Sequence, residues 1–210
     1  MRQPFSLTYV TYETGDRIGE LCALLSLAPP LIVVAYATLL VARRDAHLFY
    51  IFLGQVVNLA LNASLKATLN QPRPPGCDHP GPGMPSDHSQ FMGFWACYSV
   101  LFLAFFVPRL GRVGWRPALA LGMIVLSVAV AASRVYLGYH TLMQVVAGLS
   151  TGCVFAAIWF CVYTAVLRRW LGPWVLGSAV CQYFMIRDCA HIEDLVTFEY
   201  EAIMSKLRKA

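Results

Sequence analysis

The sequence predicts an all-α fold: a polytopic membrane helix bundle of five transmembrane helices, plus a possible sixth or interfacial segment. Three observations predict it. Hydrophobic residues make up 58% of the chain and charged residues only 13%, against about 25% charged in soluble domains. Apolar runs of roughly 20 residues, the length that crosses a bilayer, recur along it. Arginines gather at alternate ends of those runs. The 210 residues read as one domain, with a membrane core over 21–186 and a cytoplasmic tail over 187–210. The net charge of +5 comes with no nucleic-acid signature. The polar N-terminus lacks the basic and short apolar regions of a cleaved signal peptide.

The first run, 21–42, ends at Arg43-Arg44, and Pro29-Pro30 is expected to kink it. The second, 47–65, ends at Lys66. Asn58, Asn62 and Lys66 are spaced i, i+4, i+8 and share one helix face. A polar stripe of this kind faces the protein interior, and for the two Asn interhelical hydrogen bonding is the expected role. Six of the chain's 12 prolines then fall within 72–85, so this stretch is a loop. The third run is 91–107, followed by a basic loop with Arg109, Arg112 and Arg116. The fourth is 117–132, ending in Ser133-Arg134, and the fifth is 142–167, ending in Arg168-Arg169. Residues 170–186 are apolar but broken by Gly172-Pro173 and Gly177: an interfacial segment, or alternatively a sixth span. Trp170 and Trp174 read as interface anchors, and His47 and His191 as solvated residues.

The seven cysteines form no CxxC pair and give no disulfide framework. Cys77-Asp78-His79 is the one metal-like cluster, but three adjacent loop residues rarely converge on an ion, so no metal and no cofactor is expected.

With five spans, one membrane face receives Arg43, Arg44, Arg109, Arg112, Arg116, Arg168 and Arg169. The positive-inside rule makes that face cytoplasmic. N-terminal tail apart, the other face receives only Lys66, Arg73 and Arg134 as Lys or Arg. A lone Lys66 would snorkel to the headgroups. Three cations on the cation-poor face, beside two histidines, call for another explanation. The end of span two, the start of span three, the end of span four and the start of span five meet there. They bring together Lys66, Arg73, Ser86, His88, Ser133, Arg134 and His140. Guanidinium and ammonium groups suit phosphate oxygens. Phosphoryl transfer is mostly positioning and charge stabilisation, and two histidines can divide nucleophilic attack from proton transfer.

Lys66-x6-Arg73-Pro74, Pro85-Ser86-x-His88 and Ser133-Arg134-x5-His140 together resemble the three-part signature of the type 2 phosphatidic acid phosphatase and vanadium haloperoxidase superfamily. PSDHSQFM, SRVYLGYHTLMQV and FMIRDCAHIEDLVTFEY extend the resemblance, over nearly the whole chain, to its branch of eukaryotic dolichyl-diphosphate phosphatases. The resemblance implies His140 as nucleophile, through a phosphohistidine, and His88 as general acid and then base. It implies Lys66, Arg73, Ser86, Arg134 and the backbone N–H of Asp87 as phosphoryl binders, with Ser133 and Gln144 also counted in the site. It further implies a polyprenyl (dolichyl) diphosphate substrate, hydrolysed to the monophosphate at the lumenal face of the endoplasmic reticulum, which recycles the lipid carrier of N-glycosylation.

Two departures stand out. Asp87 occupies a position where the superfamily usually has Gly, and a carboxylate there repels phosphate unless turned away. Gln144 stands where the superfamily usually has an acid; an amide can hold the imidazole's orientation but cannot stabilise its charge. The alternatives are a broad lipid phosphate phosphatase, a membrane protein that binds lipid phosphates without turnover and, more weakly, a transporter.

Overall fold

The computed structural model describes residues 2–5, 10–77, 79–107, 114–189, 192 and 194–208, with the side chains of 2–5 and 171 left out. Arg109, Arg112, Asp78 and His191 lie outside the described residues. A short antiparallel hairpin, β1 (Arg2–Phe5) and β2 (Val10–Glu13), precedes the helices. Asp16 caps α1 (Arg17–Leu25), accepting from Ile18 N–H. α2 (Ala28–Arg43) follows after a break at Ser26–Leu27, with the two prolines in its first turn, where missing N–H groups cost least. α3 (Ala46–Leu69) is capped by Asp45 and stops at Asn70 in a left-handed conformation. α4 (Asp87–Phe105), α5 (Arg116–Tyr136) and α6 (Leu142–Val162) complete the bundle.

Four helical stretches are long and apolar enough to cross a membrane: Arg17–Arg43, Ala46–Leu69, Arg116–Tyr136 and Leu142–Trp170. α4 is the fifth helix of the bundle. Its 19 residues span about 28 Å. It is the most enclosed, burying Ser89, Gln90, Phe91, Met92, Gly93, Phe94, Ala96, Tyr98 and Leu103. Other helices surround it, and in its first turn Ser89 and Gln90 are buried while Asp87 and His88 are partly so. The chain is thus a multi-pass membrane protein.

α4 packs tightest against α6. A methyl group on Gly152 would lie 2.2 Å from Gln90 O, and one on Gly148 would lie 2.7 Å from Ser86 O. Only glycine lets these backbones approach, the small-residue packing that joins helices where lipid supplies no hydrophobic drive. α3 is fastened to α4 by amides. Gln90 Nε2 donates to Asn58 O at 3.1 Å and to Asn58 Oδ1 at 3.0 Å, and Asn62 Nδ2 donates to Gln90 Oε1 at 2.8 Å. The interhelical role expected of Asn58 and Asn62 is the one the structure shows.

One expectation changes, and one alternative falls. His47 is buried, not solvated: it stacks on Phe102 with centroids 3.9 Å apart and bonds the Tyr98 hydroxyl at 3.2 Å. It starts α3, where the neighbouring ends of α4 and α6 cover it. Residues 170–186 make no sixth span. α6 continues into a π-helix (Tyr163–Leu171), then α7 (Gly172–Leu176) and α8 (Ala179–Tyr183), five residues each. Pro173 lacks an N–H for the helix ladder, and Ser178 starts α8 afresh by capping it. The tail helix α9 (Leu195–Leu207) is tied to the α2–α3 corner by Glu199, which accepts from Arg43 at 2.8 Å and pairs with Arg187 at 3.5 Å.

Gly152→Ala is expected to destabilise the bundle by about 1–3 kcal/mol, since overpacking forces backbone apart. Gly122→Ala, on α5 with open space around it, should be neutral or up to about 1 kcal/mol stabilising. Thermal unfolding in detergent tests the pair, and equal shifts would count against the α4–α6 contact as described.

Candidate active site

The four helix ends named from the sequence do converge. Lys66 lies in the last turn of α3, Ser86 caps α4, Arg134 lies in the last turn of α5, and His140 immediately precedes α6. Ser86 N–H donates to Gln144 O at 3.1 Å, which stitches the starts of α4 and α6 together. Ser86 makes no side-chain cap. Its hydroxyl instead accepts from Ser89 Oγ at 3.1 Å, which leaves its own hydrogen to donate. The first N–H groups of α4 have no intrahelical acceptor, so this end is suited to an anion.

His140 is 3% exposed and doubly held. Nδ1 lies 2.8 Å from Gly83 O, and Nε2 lies 3.2 Å from Arg73 Nη1. A carbonyl only accepts and a guanidinium only donates. The ring is therefore the Nδ1–H tautomer, and the lone pair on Nε2 faces Arg73. Burial first, then the cations Arg73 and Arg134, push His140 down to about 4, so it is neutral at physiological pH.

Arg73 Nη1 also donates to Tyr139 O at 3.1 Å. Arg134 is 4% exposed; its Nη1 donates to Ser26 Oγ at 2.8 Å, and its guanidinium lies 4.3 Å from the centroid of the Tyr139 ring. Among the described residues, neither Arg73 Nε nor Arg134 Nε has a hydrogen-bond partner, though both atoms are buried. His88 Nε2 lies 3.3 Å from Ser26 O. Lys66 pairs with Asp87, whose side chain is 45% exposed. The carboxylate at the unusual position is thus not loose beside the site but bound to one of its cations.

Two site residues have roles other than those expected. Gln144 does not orient His140. Its Oε1 accepts from Thr141 N–H in a capping box, and its Nε2 donates to Pro72 O at 2.8 Å. The orienting acceptor is Gly83 O. Gln144 reaches it indirectly, since a Cβ on Gly83 would sit 2.7 Å from the Gln144 amide. Ser133 turns its hydroxyl back to Val130 O at 2.7 Å within α5, which commits its hydrogen away from the cluster. Sequence reasoning missed Ser26, Tyr139 and Gly83. Tyr139 was signalled only by its place beside His140. Besides holding both arginines, its hydroxyl accepts from Thr11 N–H at 3.0 Å, so β2 lies against the site.

Fold and cluster together define a class: a multi-pass helical membrane protein with three cations, two imidazoles and a helix N-terminus gathered at one end. The family model described as PAP2 superfamily matches residues 46–168, and the chain belongs to that superfamily. "Dolichyldiphosphatase 1" of Rhinolophus ferrumequinum is 37% identical over 98% of this chain and 90% of its own length. Its namesake from Homo sapiens is 36% identical over the same shares. A crystal structure of a transmembrane PAP2 type phosphatidylglycerolphosphate phosphatase from Bacillus subtilis shares the fold: TM-score 0.62, 23% identity, 73% of this chain and 80% of that one.

The His140 environment has a measurable consequence. Below about pH 6.5 the unfolded chain takes up a proton that the folded site refuses. This site's contribution to stability is therefore complete above 6.5 and is lost as pH falls toward about 4. Histidine NMR of the detergent-solubilised protein should find His140 neutral at pH 6, with a midpoint near 4. A midpoint at the ordinary value would contradict the burial and the paired cations.

Proposed function

We propose that this protein hydrolyses a polyprenyl diphosphate, dolichyl diphosphate foremost, to the lipid monophosphate and inorganic phosphate. The observation that carries the proposal is the pair of buried guanidinium Nε–H donors, on Arg73 and Arg134, beside a neutral imidazole with its Nε2 lone pair turned toward Arg73. Buried donors without acceptors are costly, and phosphate oxygens are acceptors that suit them. The names of whole-length relatives at 36–37% identity supply the substrate class.

In the proposed reaction His140 Nε2 attacks the terminal phosphorus. The bond to the bridging oxygen breaks, and the electron pair leaves with the lipid monophosphate. His88 protonates that oxygen, then takes a proton from the water that cleaves the phosphohistidine. Arg73, Arg134, Lys66, Ser86 and the first N–H groups of α4 stabilise the equatorial oxygens. Arg73 has to exchange His140 for phosphate as substrate arrives. Asp87 serves as counter-ion to Lys66 until then. Gln144 and Ser133 support the site through the backbone, and the chemistry calls for no metal or other cofactor.

We place the site at the lumenal face of the endoplasmic reticulum and the tail from 187 in the cytoplasm. Arg43, Arg44, Arg116, Arg168 and Arg169 all sit at the helix ends opposite Lys66 and Arg134, which supports this orientation. Sealed right-side-out microsomes should protect Cys77, half-buried in the loop after α3, from an impermeant maleimide. Labelling without permeabilisation would invert the topology.

Two outcomes test the chemistry. His140→Ala should lower phosphate release by roughly 10³-fold or more, measured colorimetrically on purified protein; near-normal release would leave a lipid-phosphate binder with adventitious activity. The second concerns specificity. The leaving group from a diphosphate is a phosphate monoester with a final pKa of about 6, whereas a monophosphate expels an alkoxide, which is far more basic. His140 is oriented by a neutral carbonyl, which does little to raise its basicity. kcat/KM should therefore favour prenyl diphosphates over matched monophosphates by about tenfold or more. Equal rates would favour a broad lipid phosphate phosphatase.

A further inference from the structure

Arg134 and His88 are both held by a residue outside every motif and outside the segment matched by the family model. Ser26 is 1% exposed, in the break between α1 and α2. Its Oγ accepts from Arg134 Nη1 at 2.8 Å and donates to Cys22 O at 3.1 Å. Its carbonyl lies 3.3 Å from His88 Nε2.

That carbonyl is free for a reason written in the sequence. In an uninterrupted helix Ser26 O would accept from the N–H of residue 30, or from residue 29 in a tighter turn. Both are proline and have no N–H. Leu31 N–H donates one residue further on, to Leu27 O at 3.0 Å. The helix thus resumes immediately after this carbonyl. Because a carbonyl only accepts, the His88 hydrogen in this contact is on Nε2, and Nδ1 is the nitrogen that gains and loses a proton.

We infer that Ser26 is a positioning residue for the phosphoryl-transfer step. Its hydroxyl fixes Arg134 from behind, and its proline-freed carbonyl fixes the tautomer of His88. This rests on the hydrolytic function proposed above. The carbonyl dipole also favours the imidazolium that forms when His88 takes a proton, a weaker form of the support a carboxylate gives in a catalytic triad. Pro29-Pro30 therefore has a role beyond bending the first span: it strips one carbonyl of its helix donors and presents it to the acid–base histidine.

The full-length protein in nanodiscs allows three tests. Pro30 is exposed, and Pro30→Ala restores an N–H that competes for Ser26 O. The expected result is a melting temperature unchanged or raised with kcat lowered about tenfold. A bend with no part in catalysis would leave kcat alone, and that result would overturn the inference. Ser26→Ala should lower kcat by a similar factor with little change in KM, and Ser26→Thr should restore it. In an Arg134→Lys background the same Ser26→Ala change should cost little, because its effect runs through Arg134; an undiminished loss would refute that. If Ser26→Ala does not fold, Ser26→Cys, close in size but a poor acceptor, takes its place under the same criteria. The third test needs no turnover, so it separates this inference from the proposed function. The 15N shifts of neutral His88 should report Nε2–H in the wild type and a mixture of tautomers in Pro30→Ala. A mixture already present in the wild type would overturn the inference even in an active enzyme.

Discussion

Everything at the site depends on the glycine-mediated approach of α4 to α6. Gly148 and Gly152 let the α6 backbone lie against Ser86 O and Gln90 O. At that separation Ser86 N–H reaches Gln144 O, and two helix N-termini are held side by side. One delivers Ser86, Asp87 and His88, and the other follows directly from His140. The two imidazoles occupy different helices, so their relation is set by this backbone contact and not by any bond between them. Buried amides then fix α3 against α4 through Asn58, Asn62 and Gln90, which settles where Lys66 ends up. In lipid, close packing and satisfied polar contacts have to supply what hydrophobic burial supplies in water.

The second constraint is charge. Three cations in a poorly hydrated cluster would repel each other and lose solvation. Each is given a different internal partner: a carboxylate for Lys66, a carbonyl and an imidazole for Arg73, a hydroxyl and an aromatic face for Arg134. Each of these partners carries less negative charge than a phosphate dianion, and Asp87, a monoanion, comes nearest. The site is thereby organised before substrate arrives and remains open to exchange. Asp87 is also the most exposed of these partners, consistent with a counter-ion that gives way while the buried arginines stay in place.

Much of this was legible in the sequence, because membrane helices announce their ends. Lys66, Arg134, Ser86 and His140 fall where apolar runs start or stop, and antiparallel connectivity alone brings those ends together. What was not legible depends on side-chain direction. Gln144 occupies the position of an orienting acid, yet its amide closes a capping box and the backbone of Gly83 takes over the orienting role. His47 looked like a solvated helix start, yet three aromatic rings enclose it. Pro29-Pro30 was visible as a kink, but nothing in the sequence says which carbonyl a kink sets free, or what stands opposite it. Residues 170–186 left two readings open, an interfacial segment or a sixth span. Gly172-Pro173 and Gly177 divide them into helices too short for one.

Both histidines of the site are supported by backbone carbonyls, Gly83 O on His140 and Ser26 O on His88. A carboxylate in either place would raise the basicity of the ring and help to carry its positive charge; a carbonyl fixes orientation and tautomer with much less of that effect. This suits a reaction in which little charge has to be forced onto the leaving oxygen. In the proposed reaction a lipid monophosphate leaves from phosphorus as a stable anion, so the proposed nucleophile can be weakly basic and the proposed acid need not be strong. The cations carry most of the burden, since the phosphoryl group holds negative charge throughout its transfer. On that proposal, an amide at Gln144 where an acid is usual is no gap in the machinery. Within this fold, neutral orientation of the histidines and concentrated positive charge on the phosphate are complementary parts of one solution.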